Sequence, residues 1–324
     1  MRRRDFLGFV GAATVAWPVA GFAQDTGRTY RVGGLTPTPR EASFISGTLG
    51  ELRKSGFIEG QNLTVDWRSY GQSVERVSEF AAELVKAQVD VIVAGGDFAI
   101  RAVQSATTTI PIIGFTDDMI GSRLVGSLAR PDGNTTGFSL LAAELDGKRQ
   151  ELLIEAVPGV RRIATFADST TSASQHLEAL QSAARARGVE LTIHRIANAE
   201  EIAPAMEAAI AGNVAAFNIL ASPLLFANRK LILERATARQ MPTIFQWPEV
   251  AEEGALMGYG PRITQLWRDS VAPQVVRILR GAKPADLPVQ QPTTFELVIN
   301  LKTAKAIAHE IPAQLVLRAD KLIE

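Results

Sequence analysis

Short, unbroken apolar runs alternate along this chain with stretches whose apolar residues return every three to four positions, and the alternation occurs twice. The first passage runs through a helix at Phe44–Ser55, Gly56, a strand at Leu63–Arg68 and a helix at Val74–Lys86. It continues with the apolar run Val89–Ala94, a helix ending near Ala106 and a strand at Ile110–Phe115. The second runs through Gln175–Arg187, Gly188, Leu191–Ile196, a helix at Glu200–Ala209 and Val214–Leu220, then a helix at Leu224–Arg239 and the strand Pro242–Phe245. Gly56 and Gly188 stand where helix C-terminal caps need a left-handed residue. Pro111 and Pro242 stand at strand starts, where a missing N–H is tolerated. Asp90–Val93 and Ala215–Leu220 lack alternation, as central strands covered on both faces do. The pattern predicts two α/β lobes of similar plan with a cleft between them.

The remaining segments predict how the lobes connect. Arg31–Leu35 is the first strand and ends in the turn Thr36–Pro39. Asp117–Asn134 carries helical spacing at Ile120, Leu124 and Leu128. Thr136–Leu140 is a strand, Leu145–Ala156 a helix, and Arg162–Phe166 opens the second lobe. Ala255–Gly258 is a strand, Ile263–Arg280 a helix, residues 282–292 a polar, Pro-rich stretch, Phe295–Asn300 a strand, and a last helix begins at Thr303. Crossings near Leu140, Tyr259 and Lys283 divide the chain into lobe one, residues 30–139 plus 260–283, and lobe two, residues 140–259 plus 284–324.

The N-terminus reads as a leader. Arg3-Arg4-x-Phe6-Leu7, the apolar Phe9–Ala20 and the small residues Gly21-Phe22-Ala23 form a twin-arginine-type export signal over residues 1–23. The apolar run is short for the ~30 Å of a bilayer core, so cleavage after Ala23 is expected rather than anchoring. The expectation is a soluble periplasmic protein. With 34 basic and 34 acidic residues, charge gives no reason to expect nucleic acid as a partner. The absence of cysteine excludes disulfides, thiolate metal sites and a lipid-attachment cysteine, so no lipid anchor is expected.

Ligands of parallel α/β sheets bind beyond the carboxyl ends of the strands, where helix N-termini supply N–H groups. Those ends give the candidate ligand-binding residues. Lobe one offers Thr36, Thr38, Gly96, Asp97, Thr116, Asp117 and Ser139. Lobe two offers Asp168, Ser169, Thr170, Ser222, Gln246, Trp247 and Tyr259. Such residues also serve simply as N-caps. Together they suit a small polar ligand whose ammonium meets Asp97, Asp117 or Asp168, with Trp247 stacked on an aromatic part. Trp67 and Trp267 fall within a strand and a helix and are read as packing residues. No nucleophile elbow, zinc helix, Walker loop or dinucleotide fingerprint is present. Hence no catalytic residue, metal ligand or cofactor is assigned.

Gly121-Ser-Arg-Leu-Val-Gly-Ser-Leu-Ala-Arg-Pro-Asp-Gly-Asn-Thr-Thr-Gly137 resembles a signature of a bacterial ABC-transporter substrate-binding family that includes tryptophan- and tyrosine-type binding proteins. Leu52–Asn62, Val89–Ala94, Ala106–Ile112 and Val298–Ala304 match in the same order. The resemblance implies the type I periplasmic-binding-protein fold, with two Rossmann-like three-layer lobes, three crossovers and a hinge. It implies a monomer that hands a small polar or aromatic ligand, such as an amino acid or organic acid, to an ABC permease. Where the family has Gly-Asp-Pro-Val, this chain has Asp117-Asp118-Met119-Ile120, which adds a charge at a cleft-facing loop. A periplasmic sensing subunit is the alternative, and a carboxylate-based periplasmic enzyme the third reading.

Overall fold

In the computed structural model the described residues are 27–324 except 72 and 173, so the predicted export signal lies outside them. The first sheet is built from β1 (Tyr30–Thr36), β2 (Leu63–Ser69), β3 (Val91–Gly95), β4 (Ile112–Thr116) and β5 (Thr135–Ser139). All its pairings are parallel, in the order β2-β1-β3-β4-β5. Helices α1 (Ser43–Lys54), α2 (Val77–Lys86) and α3 (Asp97–Ala106) make the crossovers. Every residue of β3, β4 and β5 is buried, which explains the apolar runs of β3 and β4, while β5 buries the hydroxyls of Thr135, Thr136 and Ser139. The two-residue side-chain period still sorts the faces. Val91 and Val93 join the core that contains α1's Ile45 and Leu52, whereas Ile92 and Ala94 join α2's Leu84 and α3's Ile100.

The second sheet follows α4 (Ala142–Ala156) and takes in β6 (Arg162–Asp168), β7 (Glu190–Ile196), β8 (Phe217–Ile219), β9 (Thr243–Phe245), β10 (Met257–Gly260), β11 (Glu296–Asn300) and β12 (Lys321–Ile323). Their order is β12-β11-β10-β9-β8-β6-β7. The connecting helices are α5 (Ser174–Ala186), α6 (Ile202–Ala211), α7 (Pro223–Ala227), α8 (Arg229–Ala238) and α9 (Pro248–Glu253). One pairing departs from the predicted parallel plan: β11 runs antiparallel to β10. The chain reaches β11 from the opposite end of the sheet, after an excursion to the first lobe.

That excursion is α10 (Ile263–Leu266), a π turn at Trp267–Val271 and α11 (Ala272–Leu279). It packs on α1 through Trp267 against Phe44, with ring centroids 5.0 Å apart. Gln274 on α11 donates to the Gly137 carbonyl of β5 at 3.2 Å. Beyond it, Val289 N–H donates to the Leu128 carbonyl at 2.8 Å and Gln290 N–H to that of Gly137 at 2.9 Å. Residues up to 290 therefore lie along the first sheet. Backbone pairing carries this stretch past the end of the apolar helix, and a hydropathy pattern does not register it.

Other differences are local. Asp117–Asn134 forms turns instead of a helix; only Met119, Leu124 and Val125 of its apolar residues turn fully inward, and Arg123 is left-handed. The predicted helix Leu224–Arg239 breaks at Asn228, whose side-chain amide caps the Leu224 carbonyl at 2.9 Å. The first crossing passes through Leu141 in a left-handed conformation. Beside it, β5 requires glycine: at Gly137 φ is +144°, and a Cβ would stand 1.9 Å from the Gly114 carbonyl oxygen of β4.

α12 (Leu301–Ala306) and α13 (Ala313–Val316) complete the second lobe. Among the described residues, no helix is long and apolar enough to cross a membrane.

Candidate functional site

The carboxyl ends of the two sheets enclose a cavity of about 400 Å³. Residues following β1, β3 and β4 form one wall, and residues following β6, β8 and β9 form the other. This is the location that parallel topology prescribes, because each strand end hands over to a loop or helix start with free polar groups.

Of the residues singled out from sequence, Thr36, Thr38, Gly96, Asp97, Thr116, Asp117, Ser222, Gln246 and Trp247 line the cavity. Ser139, Asp168, Ser169, Thr170 and Tyr259 do not. Asp168 is buried behind the wall, where it accepts the Ser222 hydroxyl at 2.7 Å and the Thr170 hydroxyl at 2.5 Å. Ser222 also accepts the Leu225 N–H at 3.2 Å, so it is a true N-cap of α7 as well as a cavity residue. Ser139 is buried and bonded to the Asp117 loop, accepting the Met119 N–H at 3.2 Å. The half-buried Tyr259 ring packs against the second lobe's core, and its carbonyl accepts from Arg149 at 3.2 Å. At Asp168 and Ser139 the chain passes the cleft with the side chain turned inward. In place of Ser169 and Thr170, their neighbours Thr171 and Ser172 face the cavity.

Several lining residues escaped the strand-end rule because they come from helices and crossings. Phe44 sits on α1 and Trp267 in the π turn after the second crossing; Ser122 lies inside the signature segment, Asp146 on α4, His176 on α5 and Phe226 on α7. Trp267 is 2% exposed, as a packing residue would be, yet it also faces the ligand space. The π turn signals this, since such turns insert a residue that redirects side chains and recur at functional sites. Around Trp267 the rings of Phe44 and Phe115 lie at 5.0 and 5.4 Å. Trp247 and Phe226, 6.4 Å apart, supply aromatic surface from the second lobe.

The polar side of the cavity is acidic. Asp97, Asp117, Asp118 and Asp146 line it, with His176 and, among the described residues, no Lys or Arg. Three of the four carboxylates are held by the protein. Asp97 accepts the hydroxyls of Thr116 and Ser122. Asp118 accepts the Ile120 and Gly121 N–H groups at 3.0 and 2.8 Å, closing its own turn. Asp146 pairs with the buried Arg149 and lies 2.9 Å from His176 Nε2. Asp117 differs, because none of the hydrogen bonds among the described residues ends on its carboxylate. Burial, then the charges of Asp146 and Asp97, push its pKa up to about 7, against the opposing pull of Arg149. Burial also holds the Tyr70 phenol well above its ordinary range, helped by Asp97 and Asp168, while its hydroxyl donates to the Gly95 carbonyl at 2.8 Å. No group of three or more His, Asp or Glu side chains among the described residues is arranged to hold a metal.

Known proteins share this architecture. A crystal structure of a conserved domain protein from Vibrio cholerae superposes with a TM-score of 0.82 at 26% identity, covering 91% of this chain and 100% of that one. The ABC domain in complex with L-Trp from Streptococcus pneumonia gives 0.80 at 24% identity, with coverage of 91% and 100%. A tyrosine-binding protein of Clostridioides difficile is 24% identical over 263 residues, which span 81% of this chain and 75% of that protein. The fold is that of type I periplasmic binding proteins, as the signature implied. Because a model described as ABC transporter substrate binding protein matches residues 38–323, most of the chain, the chain belongs to that family.

Proposed function

We propose that this chain is the extracytoplasmic solute receptor of an ABC importer and that it captures a small organic ligand in the cavity between its sheets. The observation that carries this reading is the pairing, in one space of about 400 Å³, of an aromatic wall with the Asp117 carboxylate, on which no hydrogen bond among the described residues ends. The size falls within the ~300–1,000 Å³ of small-molecule sites. The ligand is amino-acid-like in having a protonated nitrogen for Asp117 or Asp97 and an apolar body for Phe44, Phe115, Trp247 and Trp267. Its relatives that bind tryptophan and tyrosine support this class. An organic anion fits poorly, since among the described residues it would meet four carboxylates and no Lys or Arg. Burying ~150 Å² of ring contributes about 4 kcal/mol, and a micromolar Kd corresponds to about 8 kcal/mol.

In this reading the lobes are residues 30–139 with 260–290, and 140–259 with 291–324. They close by rotation about Leu140–Leu141, Gly260 and the segment after Gln290. Holding the closed form at 99:1 against a 1:99 resting population takes about 5.5 kcal/mol of differential binding. The leader over residues 1–23 delivers the protein to the periplasm, where it acts as a monomer on an inner-membrane permease and performs no catalysis.

The test is a thermal-shift screen of amino acids, amines and organic anions, followed by calorimetric titration of the hits. Saturable 1:1 binding by amine-bearing solutes with apolar bodies is expected. Failure of every solute to bind, or binding confined to anions, would remove the reading.

A further inference from the structure

The acid left open at Asp117 bears on the charge of the ligand. Where the described lining has no Lys or Arg, a ligand carboxylate depends on backbone N–H groups and hydroxyls, and four of the seven lining hydroxyls already donate elsewhere. Thr36 gives its proton to the Thr38 carbonyl at 2.9 Å and Ser222 gives its proton to Asp168 at 2.7 Å. Thr116 and Ser122 give theirs to Asp97. Four of the cavity's hydroxyls are therefore turned away from an anion.

The charges facing Asp117 point the same way. From α3 comes Asp97, from its own loop Asp118, and from α4 come Asp146 and, behind it, Arg149; α5 brings His176 beside Asp146. Arg149 is wholly buried, and its guanidinium is engaged by Asp146 and by the Tyr259 carbonyl at 3.2 Å. Counting formal charges, Asp97, Asp117, Asp118 and Asp146 outweigh Arg149 by three, and by two when His176 is protonated. A zwitterion adds no charge to that balance, whereas a cation reduces it. The aromatic wall is equally suited to a cation, whose positive group is attracted to ring faces in a desolvated site.

We propose that the cleft selects an organic cation with an aromatic or aliphatic body, an amine without a carboxylate, over the corresponding zwitterionic amino acid, and that Asp117 is the residue that sets this preference. The proposal rests on the reading of the cleft as a solute site and narrows its ligand class. In it, the ligand's ammonium takes the open side of Asp117 and its body lies against Phe115 and Trp267.

Matched pairs that differ only by the carboxylate give the test: tyramine with tyrosine, and tryptamine with tryptophan. Each is titrated calorimetrically into the mature protein and into Asp117→Asn at pH 8, with scanning calorimetry confirming that both proteins unfold cooperatively. The expected result is that an amine binds at least tenfold tighter than its amino acid. Asp117→Asn should weaken the amine tenfold or more and change the amino acid less than threefold. An amino acid that binds as tightly as its amine overturns the cation preference while leaving solute capture intact. So does an Asp117→Asn variant with an unchanged ratio. If none of the four compounds binds, the proposal is overturned, and if the broader screen is also blank, the solute-receptor reading falls with it.

Discussion

Asp117→Asn swaps a carboxylate for an amide of the same shape, so it isolates the cost of placing a charge in the cleft. The native fold raises this group from an ordinary value of 3.8 to about 7, chiefly through burial. The native state therefore binds its proton more tightly than the unfolded chain does. The sign follows: between pH 4 and 7 the unfolded chain has lost the proton and the native one has not, so stability falls as pH rises through this window. Above pH 7 the penalty is complete. A shift of about 3 pKa units corresponds to about 4 kcal/mol at ~1.4 kcal/mol per unit. The carboxylate is only half-buried and opens on the cavity, so solvent screening reduces this to about 2 kcal/mol. For lobes of this size that is about 5 °C in Tm. Scanning calorimetry of ligand-free protein should then show Asp117→Asn about 5 °C more stable than the wild type at pH 8, with the gap closing towards pH 4. A variant no more stable than the wild type at pH 8 would mean that the native protein already stabilises the charge. A gap independent of pH would mean that its origin is not this titration.

Arg149→Met leaves Asp146 buried without its guanidinium, and urea denaturation should register a loss of about 3–5 kcal/mol; a loss below 1 kcal/mol would indicate that water reaches the pair. Gly137→Ala forces a Cβ onto the Gly114 carbonyl, and should lower stability by about 3 kcal/mol or more, read as a fall in Tm; a neutral substitution would contradict the close pairing of β4 and β5. Trp247→Phe keeps an aromatic wall with less area and should weaken an indole-bearing ligand by about 3- to 10-fold in titration, with a Tm within a few degrees of the wild type. Unchanged affinity would place the ligand body elsewhere.

How far the sequence reveals this structure depends on the kind of signal each part leaves. β3 and β4 were legible because a strand buried on both faces tends to be apolar throughout, and Gly56 and Gly188 because a left-handed helix end favours glycine. β12 and α9 left too short a pattern, with three and six residues. The stretch 287–290 is held to the first sheet by backbone hydrogen bonds, which any sequence can make. Among the cavity's lining residues, Asp97, Asp117 and Trp247 were legible because strand ends in parallel sheets face the cleft. Asp168 and Ser139 share that position but turn inward, a choice of side-chain direction that strand order does not fix. Trp267 and Phe44 reach the cavity from helices, and only the packing of α10 and α11 back on α1 brings them together. The carboxylate count was partly visible at Asp117-Asp118, whereas the contribution of Asp146 depends on α4 crossing into the second lobe.

A crystal structure grown with the tightest-binding solute from the screen tests the central claim most directly. The lobes should close on a ligand whose nitrogen lies within hydrogen-bond distance of the Asp117 or Asp97 carboxylate and whose apolar body contacts Trp247 and Trp267. Ligand density at any other place on the molecule, or in the cleft with its nitrogen turned away from both carboxylates, would contradict it.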